Sequence, residues 1–178
     1  MNKQVCTNKM GYILALLGIV LLLAGVFLPY MTAVGEMAEY IDQNPERMEL
    51  ASENLTSGDL KNIPITRTGK LITGVYGEDD GLAATVILLV LGGLGALTAL
   101  VAALKKPIGA LIFDLLTIGT FVFLNGVMKE DFIGGDKYAW GVGFYAIIAA
   151  LVIVMVGAVW MLAMNSAGKK AGASSDKE

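Results

Sequence analysis

Residues 81–128 read, in one-letter code, GLAATVILLVLGGLGALTALVAAL, then KK, then PIGALIFDLLTIGTFVFLNGVM: two apolar runs joined by a pair of lysines. A helix needs about 20 apolar residues to cross the hydrocarbon core of a bilayer, because each residue adds only about 1.5 Å. Both runs reach that length, and the two-residue connection makes the second run return beside the first. The stretch therefore predicts a helical hairpin that crosses a membrane twice.

Two more uncharged runs, at residues 10–35 and 138–168, flank this hairpin. Composition agrees with a membrane location, since 56% of the 178 residues are apolar, only 16% are charged and none is histidine. Backbone groups in hydrocarbon must be hydrogen-bonded within their own segment, so the runs should be helices. The sequence predicts an all-α membrane protein, a four-transmembrane-helix bundle with a small extracytoplasmic domain of helix and β-hairpin between helices 1 and 2.

The lysines near the predicted spans indicate the orientation, because short positively charged segments stay cytoplasmic. They are dense in the two termini and in the Lys105-Lys106 turn, and sparse in the long segment between the first two spans. We therefore expect a cell-membrane protein with cytoplasmic N- and C-termini. The predicted segments are a cytoplasmic N-terminus at 1–9, spans at 10–30, 82–104, 107–128 and 138–164, an extracytoplasmic acidic domain at 31–80, an outer loop at 129–137 and a disordered cytoplasmic tail at 165–178.

A cleaved signal peptide is the alternative interpretation of the first run. The apolar part of such a peptide usually has only about 7–15 residues, and this run is longer. The best small-residue cleavage site, Ala33-Val34-Gly35, is imperfect. Cleavage would leave three spans instead of four.

The extracytoplasmic domain is acidic, with ten Asp and Glu against four Lys and Arg over residues 31–80. Its first part, residues 36–55, has a helical pattern: Asn44 and Pro45 suit the N-cap and first helical position, and one face carries Met48, Ala51 and Leu55. Residues 63–73 are rich in β-branched side chains around a glycine, which predicts a short hairpin. The lone cysteine, Cys6, excludes an intrachain disulfide.

Small residues recur on single faces of three predicted spans. Such stripes let helix backbones approach closely, where lipid gives no hydrophobic drive for packing. They predict the seams of a compact bundle, with a partner-binding face as the alternative. The stripes are Gly11, Gly18 and Gly25 in the first span, Gly92, Ala96, Ala99 and Ala103 in the second, and Gly143, Ala146, Ala150 and Gly157 in the fourth.

Asp114 is the one charged residue inside the four runs, about two turns into the third span, where a carboxylate is costly. The geometry of the hairpin places it level with Thr98, and it places Asn125 near Thr85. One interpretation makes Asp114 a proton or cation carrier, or a contact to a basic residue in another subunit. The structural alternative is a carboxyl that is protonated, or hydrogen-bonded to Thr98 or Thr117, and that locks the bundle.

Carboxylates also gather in the two predicted outer segments, at Glu78, Asp79 and Asp80 and at Glu130, Asp131 and Asp136. Their oxygens are the ligands that Ca²⁺ or Mg²⁺ prefers. The spacing is not that of an EF-hand loop, however. The alternative is an exposed turn in which Asp79 or Asp80 caps the second span.

Catalysis has little support in the sequence. Without histidine there is no histidine base or metal ligand, and neither a phosphate-binding glycine loop nor a serine-hydrolase motif is present. An acidic domain would also repel nucleic acid. We therefore expect a protein that is not an enzyme and needs no cofactor.

Three short segments carry a resemblance to known proteins: Phe27-Leu28-Pro29-Tyr30 at the end of the first span, the Lys105-Lys106-Pro107 turn, and residues 138–145, YAWGVGFY, before the last span. They make the spans similar to small uncharacterised four-span proteins of Firmicutes-type bacteria. The order of elements also resembles that of claudins, but the first outer segment lacks the Trp and Cys signature of a claudin. The resemblance implies no defined activity.

Two hypotheses of function follow. In the first, the protein is an accessory, immunity-type or scaffold protein embedded in the lipid bilayer, and its outer domain binds a protein partner or a second copy in a homo-oligomer. In the second, it is a small transporter or channel subunit that uses Asp114 and Asn125.

Overall fold

The computed structural model describes residues 3–47, 55–133 and 137–175, and the chain is mainly helical over these ranges. In chain order the elements are α1 (Lys3–Phe27), β1 (Pro29–Ala33), α2 (Gly35–Gln43), α3 (Ser57–Lys61), β2 (Asn62–Pro64), a 3-10 turn (Ile65–Arg67), α4 (Thr68–Tyr76), α5 (Glu78–Ala103), α6 (Pro107–Met128), a π-helical turn (Lys129–Ile133), β3 (Tyr138–Trp140) and α7 (Val142–Ser175).

Four of the described helices are long and apolar enough to cross a membrane: Lys9–Phe27 of α1, Glu78–Ala103, Pro107–Met128, and Val142–Ala167 of α7. The predicted four-span helical architecture is confirmed. The α5–α6 turn lies at one end of the bundle, which we call the lysine-turn end. The three strands lie at the other, which we call the sheet end.

The first and last spans, α1 and α7, pack along their glycines. A Cβ atom added to Gly18 would lie 2.6 Å from Cγ2 of Val154 and 2.9 Å from the carbonyl oxygen of Ala150. One added to Gly157 would lie 2.7 Å from the carbonyl oxygen of Gly11. Because these distances leave no room for a side chain, the two backbones touch. The predicted small-residue seam is confirmed for the first and fourth spans.

The second and third spans form the predicted hairpin. Lys105 adopts a left-handed conformation, with φ of 55°, and its N–H donates to the carbonyl of Ala102 at 2.9 Å. Pro107 stands in the first turn of α6, where its missing N–H costs nothing. The Lys105 ammonium lies 5.2 Å from the ring centroid of Tyr12. This cation–π contact ties the start of α1 to the turn.

A three-stranded antiparallel sheet, in the order β2-β1-β3, closes the sheet end. Met31 at its centre pairs with Ile63 on one side and Trp140 on the other. The N–H of Gly141 adds a bond to the carbonyl of Tyr30 at 2.8 Å. Since β1 follows the first span directly and β3 precedes the last, the sheet fixes these two spans to each other and to the domain between α1 and α5.

The predicted β-hairpin at residues 63–73 is wrong. Only Asn62–Pro64 is a strand, and it pairs with β1 rather than with the residues that follow it. From Thr68 the chain is helical. It reverses direction at Gly77, whose φ is +102°, so that α5 runs back along α4. A Cβ on Gly69 would lie 2.6 Å from Oγ1 of Thr85, so packing against the span overrides the β propensity of the segment.

The helix predicted over residues 36–55 is interrupted. The first helix, α2, ends at Gln43, and the N–H of Asn44 donates to the carbonyl of Tyr40 at 3.0 Å. Residues 45–47 are helical again, in agreement with a helix start at Asn44 and Pro45. Met48 and Ala51 lie outside the described residues, and Leu55 is buried but precedes α3.

The small-residue stripe of the second span is a seam only in part. Gly92, Ala96 and Ala103 are exposed, and a Cβ on Gly92 would meet nothing within 4 Å. This span packs on α6, and its buried residues include Thr98 and Ala102, which are not in the stripe. The periodicity of small residues marks a face but does not say which neighbour covers it.

The ends of the first and last spans also differ from the prediction. The first helix stops at Phe27 because Pro29 enters the sheet, and the last begins at Val142 because residues 138–140 form β3. Helix α7 continues to Ser175, whereas the sequence predicted a disordered tail from residue 165.

Candidate functional site

Asp114 is fully buried in α6, with 0% of its surface exposed. Neither carboxyl oxygen has a hydrogen-bond partner in the described part of the chain. Its neighbours one turn away on the same helix are Ala110 and Thr117, both buried. A polar group buried without a partner is costly, most of all in a membrane span. Asp114 therefore destabilises the bundle unless it binds something in addition to the described residues.

The threonines expected to bind Asp114 make other hydrogen bonds. Thr98 donates its hydroxyl to the carbonyl of Leu94 at 2.9 Å. Thr117 donates to the carbonyl of Phe113 at 2.7 Å. The alternative in which one of them hydrogen-bonds the carboxyl is wrong, since neither oxygen of Asp114 has a partner among the described residues and each threonine hydroxyl donates within its own helix.

Asn125, the second polar residue singled out in the spans, has structural partners. Its side-chain amide donates to the carbonyl of Phe121 at 2.7 Å. Its side-chain oxygen accepts a hydrogen bond of 2.5 Å from the hydroxyl of Tyr30. Thr85, the neighbour predicted from the hairpin, instead donates to the carbonyl of Gly81 at 2.8 Å. Asn125 thus attaches α6 to the sheet and does not extend the site of Asp114.

An aromatic cluster surrounds this contact. Tyr30 is fully buried, and its ring meets those of Phe121, Trp140 and Phe144 edge to face at centroid distances of 5.6–6.3 Å. Trp140 and Phe144 stack at 4.2 Å. The cluster lies inside the sheet end, so these rings pack against one another and hold the sheet on the bundle.

Tyr138 differs from Tyr30 in having no partner for its hydroxyl among the described residues. Its ring packs edge to face on Phe132 at 6.4 Å, and only 4% of the residue is exposed. Burial raises the pKa of the Tyr138 phenol to about 12.

An apolar crevice between α1 and α5 was not predicted from the sequence. Its volume is about 270 Å³. Leu22 and Leu91 form its walls, small residues of α5 form its floor, and Ile65 of the 3-10 turn closes it toward the sheet end. We call it the α1–α5 crevice. The one feature of the sequence that could have indicated the crevice is the small-residue stripe of the second span. Its exposed members Gly92 and Ala96 lie in this floor.

Helix α2 presents a charged face next to the sheet. Ile41 is fully buried and anchors the helix, whereas Glu36, Glu39 and Asp42 are exposed. The Asp42 carboxylate forms an ion pair with the ammonium of Lys61 in α3. Residues 35–47 carry four carboxylates against one arginine. This face therefore carries a net negative charge and projects from a buried anchor.

The start of α3 is fixed by a capping box. Thr56 accepts a hydrogen bond from the N–H of Asp59 at 3.2 Å, and the Asp59 carboxylate accepts one from the N–H of Thr56 at 3.2 Å. Arg67 also forms an ion pair with Asp59. Partial desolvation alone would raise the pKa of Asp59, but the bonds from Thr56 and the charge of Arg67 together hold that pKa below its ordinary value.

The predicted cation ligands do not come together in the described residues, where no group of three acidic, histidine or cysteine side chains could hold a metal ion. Glu78, Asp79 and Asp80 are exposed in the first turn of α5, whose N-cap is Gly77 rather than Asp79 or Asp80. Their negative charges interact favourably with the positive end of the helix dipole. Glu130 is exposed in the π-helical turn, and Asp136 lies outside the described residues. Of Asp131 only the backbone is described.

Comparisons with protein-family models, with curated proteins and with solved structures find no match to this chain. The fold alone therefore defines the class, which is a multi-pass helical membrane protein with a small sheet-bearing domain at one end of its bundle. The resemblance to small four-span bacterial proteins stays a prediction.

Proposed function

We propose that the protein is a non-enzymatic accessory, immunity-type or scaffold protein of the cell membrane, which binds a protein partner through its sheet-end domain. In this proposal both termini are cytoplasmic, in line with the lysine density, and the sheet end faces outward. The observation that carries the proposal is the acidic face of α2, held on a support that is continuous with the spans.

Attachment of α2 to the spans supports this role. The helix follows β1 directly, and β1 is bonded to strands on both sides. Tyr30 in β1 reaches Asn125 in the third span, so the strand cannot move independently of the bundle. A binding face on a fixed support loses less conformational entropy when it binds.

Charge supports a partner with a basic surface. Glu36, Glu39 and Asp42 project from one short helix, and Tyr40 beside them is 45% exposed. Clustered carboxylates steer a positively charged partner toward the face, and an exposed aromatic ring is a frequent interface contact.

The proposal is tested by co-purification from membranes of the native host in mild detergent. The variant Glu36→Gln, Glu39→Gln, Asp42→Asn should lose a stoichiometric partner that the wild type retains. The control Glu78→Gln, Asp79→Asn, Asp80→Asn removes the same charge from the start of α5 and should retain it. Equal recovery of the partner with both variants, or no stoichiometric partner in the wild type, contradicts the proposal.

The alternative function is a small transporter or channel subunit that uses Asp114. It is favoured by one observation, the fully buried carboxyl without a partner among the described residues. Such a carboxyl can take up a proton or meet a cationic side chain from another membrane helix. The hydrogen bond from Tyr30 to Asn125 weighs against it, since it occupies the other polar residue that this hypothesis needs.

Proteoliposomes test this alternative. Proton or cation flux that falls to the level of empty vesicles in Asp114→Asn, with unchanged thermal stability, would favour the transporter. If the wild-type protein itself gives no more flux than empty vesicles, the transporter hypothesis is eliminated.

A further inference from the structure

The α1–α5 crevice has the dimensions of a slot for one hydrocarbon chain. Its lining runs along α5 from Leu88 to Ala99, a length of about 17 Å at the rise of an α-helix. Over that length its volume is about 270 Å³, which makes the crevice long and narrow. A protein helix of the same length is about 10 Å wide and has a volume of about 1,300 Å³, so it cannot lie within the crevice and could only cover its open side.

The lining offers nothing that would hold a polar ligand. Thr66 and Thr117 are its two polar side chains, and Thr117 donates its hydroxyl to the carbonyl of Phe113. The other lining residues are aliphatic or glycine. An apolar space of this size stays free of water, and its walls lose dispersion contacts unless an apolar group fills it.

The crevice is continuous with the lipid-facing surface of the spans. Leu23, which lines it, is 60% exposed, and Leu89 on the adjoining surface of α5 is 71% exposed. Both belong to helices that are long and apolar enough to cross a membrane. Hydrocarbon therefore surrounds the open side, and Ile65 separates the crevice from the sheet end.

We propose that the α1–α5 crevice binds one acyl chain of a bilayer lipid, which enters sideways from the leaflet on the sheet side. The packing of the surrounding helices indicates the role of the bound acyl chain. The first span packs mainly on α7 and the second mainly on α6, so α1 and α5 are separated along this gap. The bound chain supplies the missing contacts between them. This proposal does not depend on the partner-binding function.

Photolabelling in vesicles tests the proposal. The wild type is reconstituted in phosphatidylcholine–phosphatidylglycerol vesicles that contain a phosphatidylcholine with a diazirine in one acyl chain. After irradiation, labelled peptides should include Leu22 and Leu91, on the two walls. Gly92→Leu places a side chain in open space within the crevice. Label at both walls should then fall about fivefold or more, because the site is overfilled.

The neighbouring glycine gives a matched control. A Cβ on Gly93 also meets nothing within 4 Å, but Gly93 does not line the crevice, so Gly93→Leu should leave the labelling of both walls unchanged. Ala96→Leu repeats the filling test if Gly92→Leu does not fold. Label at Leu22 and Leu91 that is no stronger than at Leu89, or that persists in both filled variants, overturns the proposal.

Discussion

The hydroxyl of Tyr30 donates a hydrogen bond of 2.5 Å to the side-chain oxygen of Asn125, across 95 residues of sequence. Tyr30 lies in the central strand of the sheet and Asn125 in the third span. The bond therefore joins the sheet-end domain to the bundle, with a fully buried tyrosine on one side and a half-buried asparagine on the other.

Removal of one oxygen atom should have opposite effects at two buried tyrosines. Tyr30→Phe leaves the side-chain oxygen of Asn125 without its donor and should destabilise the protein by about 1–3 kcal/mol. Tyr138→Phe removes a hydroxyl that has no partner in the described structure and should be neutral or stabilising by about 1 kcal/mol. Reversible unfolding in detergent measures both changes. A larger loss for Tyr138→Phe than for Tyr30→Phe would contradict the bonding described here.

The seam between α1 and α7 should reject even a methyl group. Gly18→Ala puts a Cβ 2.6 Å from Cγ2 of Val154 and 2.9 Å from a carbonyl oxygen, which should cost about 1–3 kcal/mol of stability. Gly119→Ala is the control, since a Cβ there meets nothing within 4 Å. It should be tolerated, and helix propensity favours it by up to about 1 kcal/mol. Thermal midpoints in the same detergent compare the two, and equal midpoints would show that the helices are not in backbone contact.

Acid should loosen the start of α3. The folded-state pKa of Asp59 is below its ordinary value, so the stabilisation is present above that ordinary value, about 3.9, and is lost as the pH falls through the folded-state value. The protection factors for hydrogen exchange of residues 57–61, corrected for the intrinsic pH dependence of exchange, should fall over this acid range. Asp59→Asn should remove the acid dependence, because the amide can still accept from Thr56 but does not titrate. An unchanged acid dependence in that variant would rule out Asp59 as its origin.

Asp114 should be replaceable with a gain in stability. Asp114→Val removes a carboxyl whose two oxygens have no partner in the described structure and should stabilise the purified protein by about 1–2 kcal/mol. Asp114→Asn keeps a buried polar group of the same size and should gain less. If Asp114→Val is the less stable of the two, the carboxyl has a favourable interaction that this structure does not contain.

The sequence predicted the four spans because their length and lack of charge are local properties of the chain. It also identified the seam glycines of α1 and α7, since close helix packing restricts them to the smallest side chains. It singled out Asp114 because a charge in an apolar run is conspicuous, but the depth-based partners were wrong. Thr98 and Thr117 are satisfied by carbonyls of their own helices.

The long-range contacts could not be predicted from the sequence. The β-branched segment from Ile63 has strand propensity, yet β1 became the partner of its first residues and α5 became the support for the rest as a helix. Nothing local connects Tyr30 to Asn125. The crevice was missed for a related reason: Gly92 and Ala96 match the pattern of a seam, and only the position of α1 shows that this face is left open.

Site-specific photocrosslinking in native membranes tests the central proposal, partner binding at the acidic face of α2, most directly. A benzophenone amino acid replaces Tyr40, which is 45% exposed beside Glu39, and in a control it replaces Val122, which is 62% exposed on the third span. We predict one discrete crosslinked protein from position 40, absent from position 122 and lost when Glu36, Glu39 and Asp42 are neutralised. No adduct at position 40, or the same adduct from both positions, would contradict the proposal.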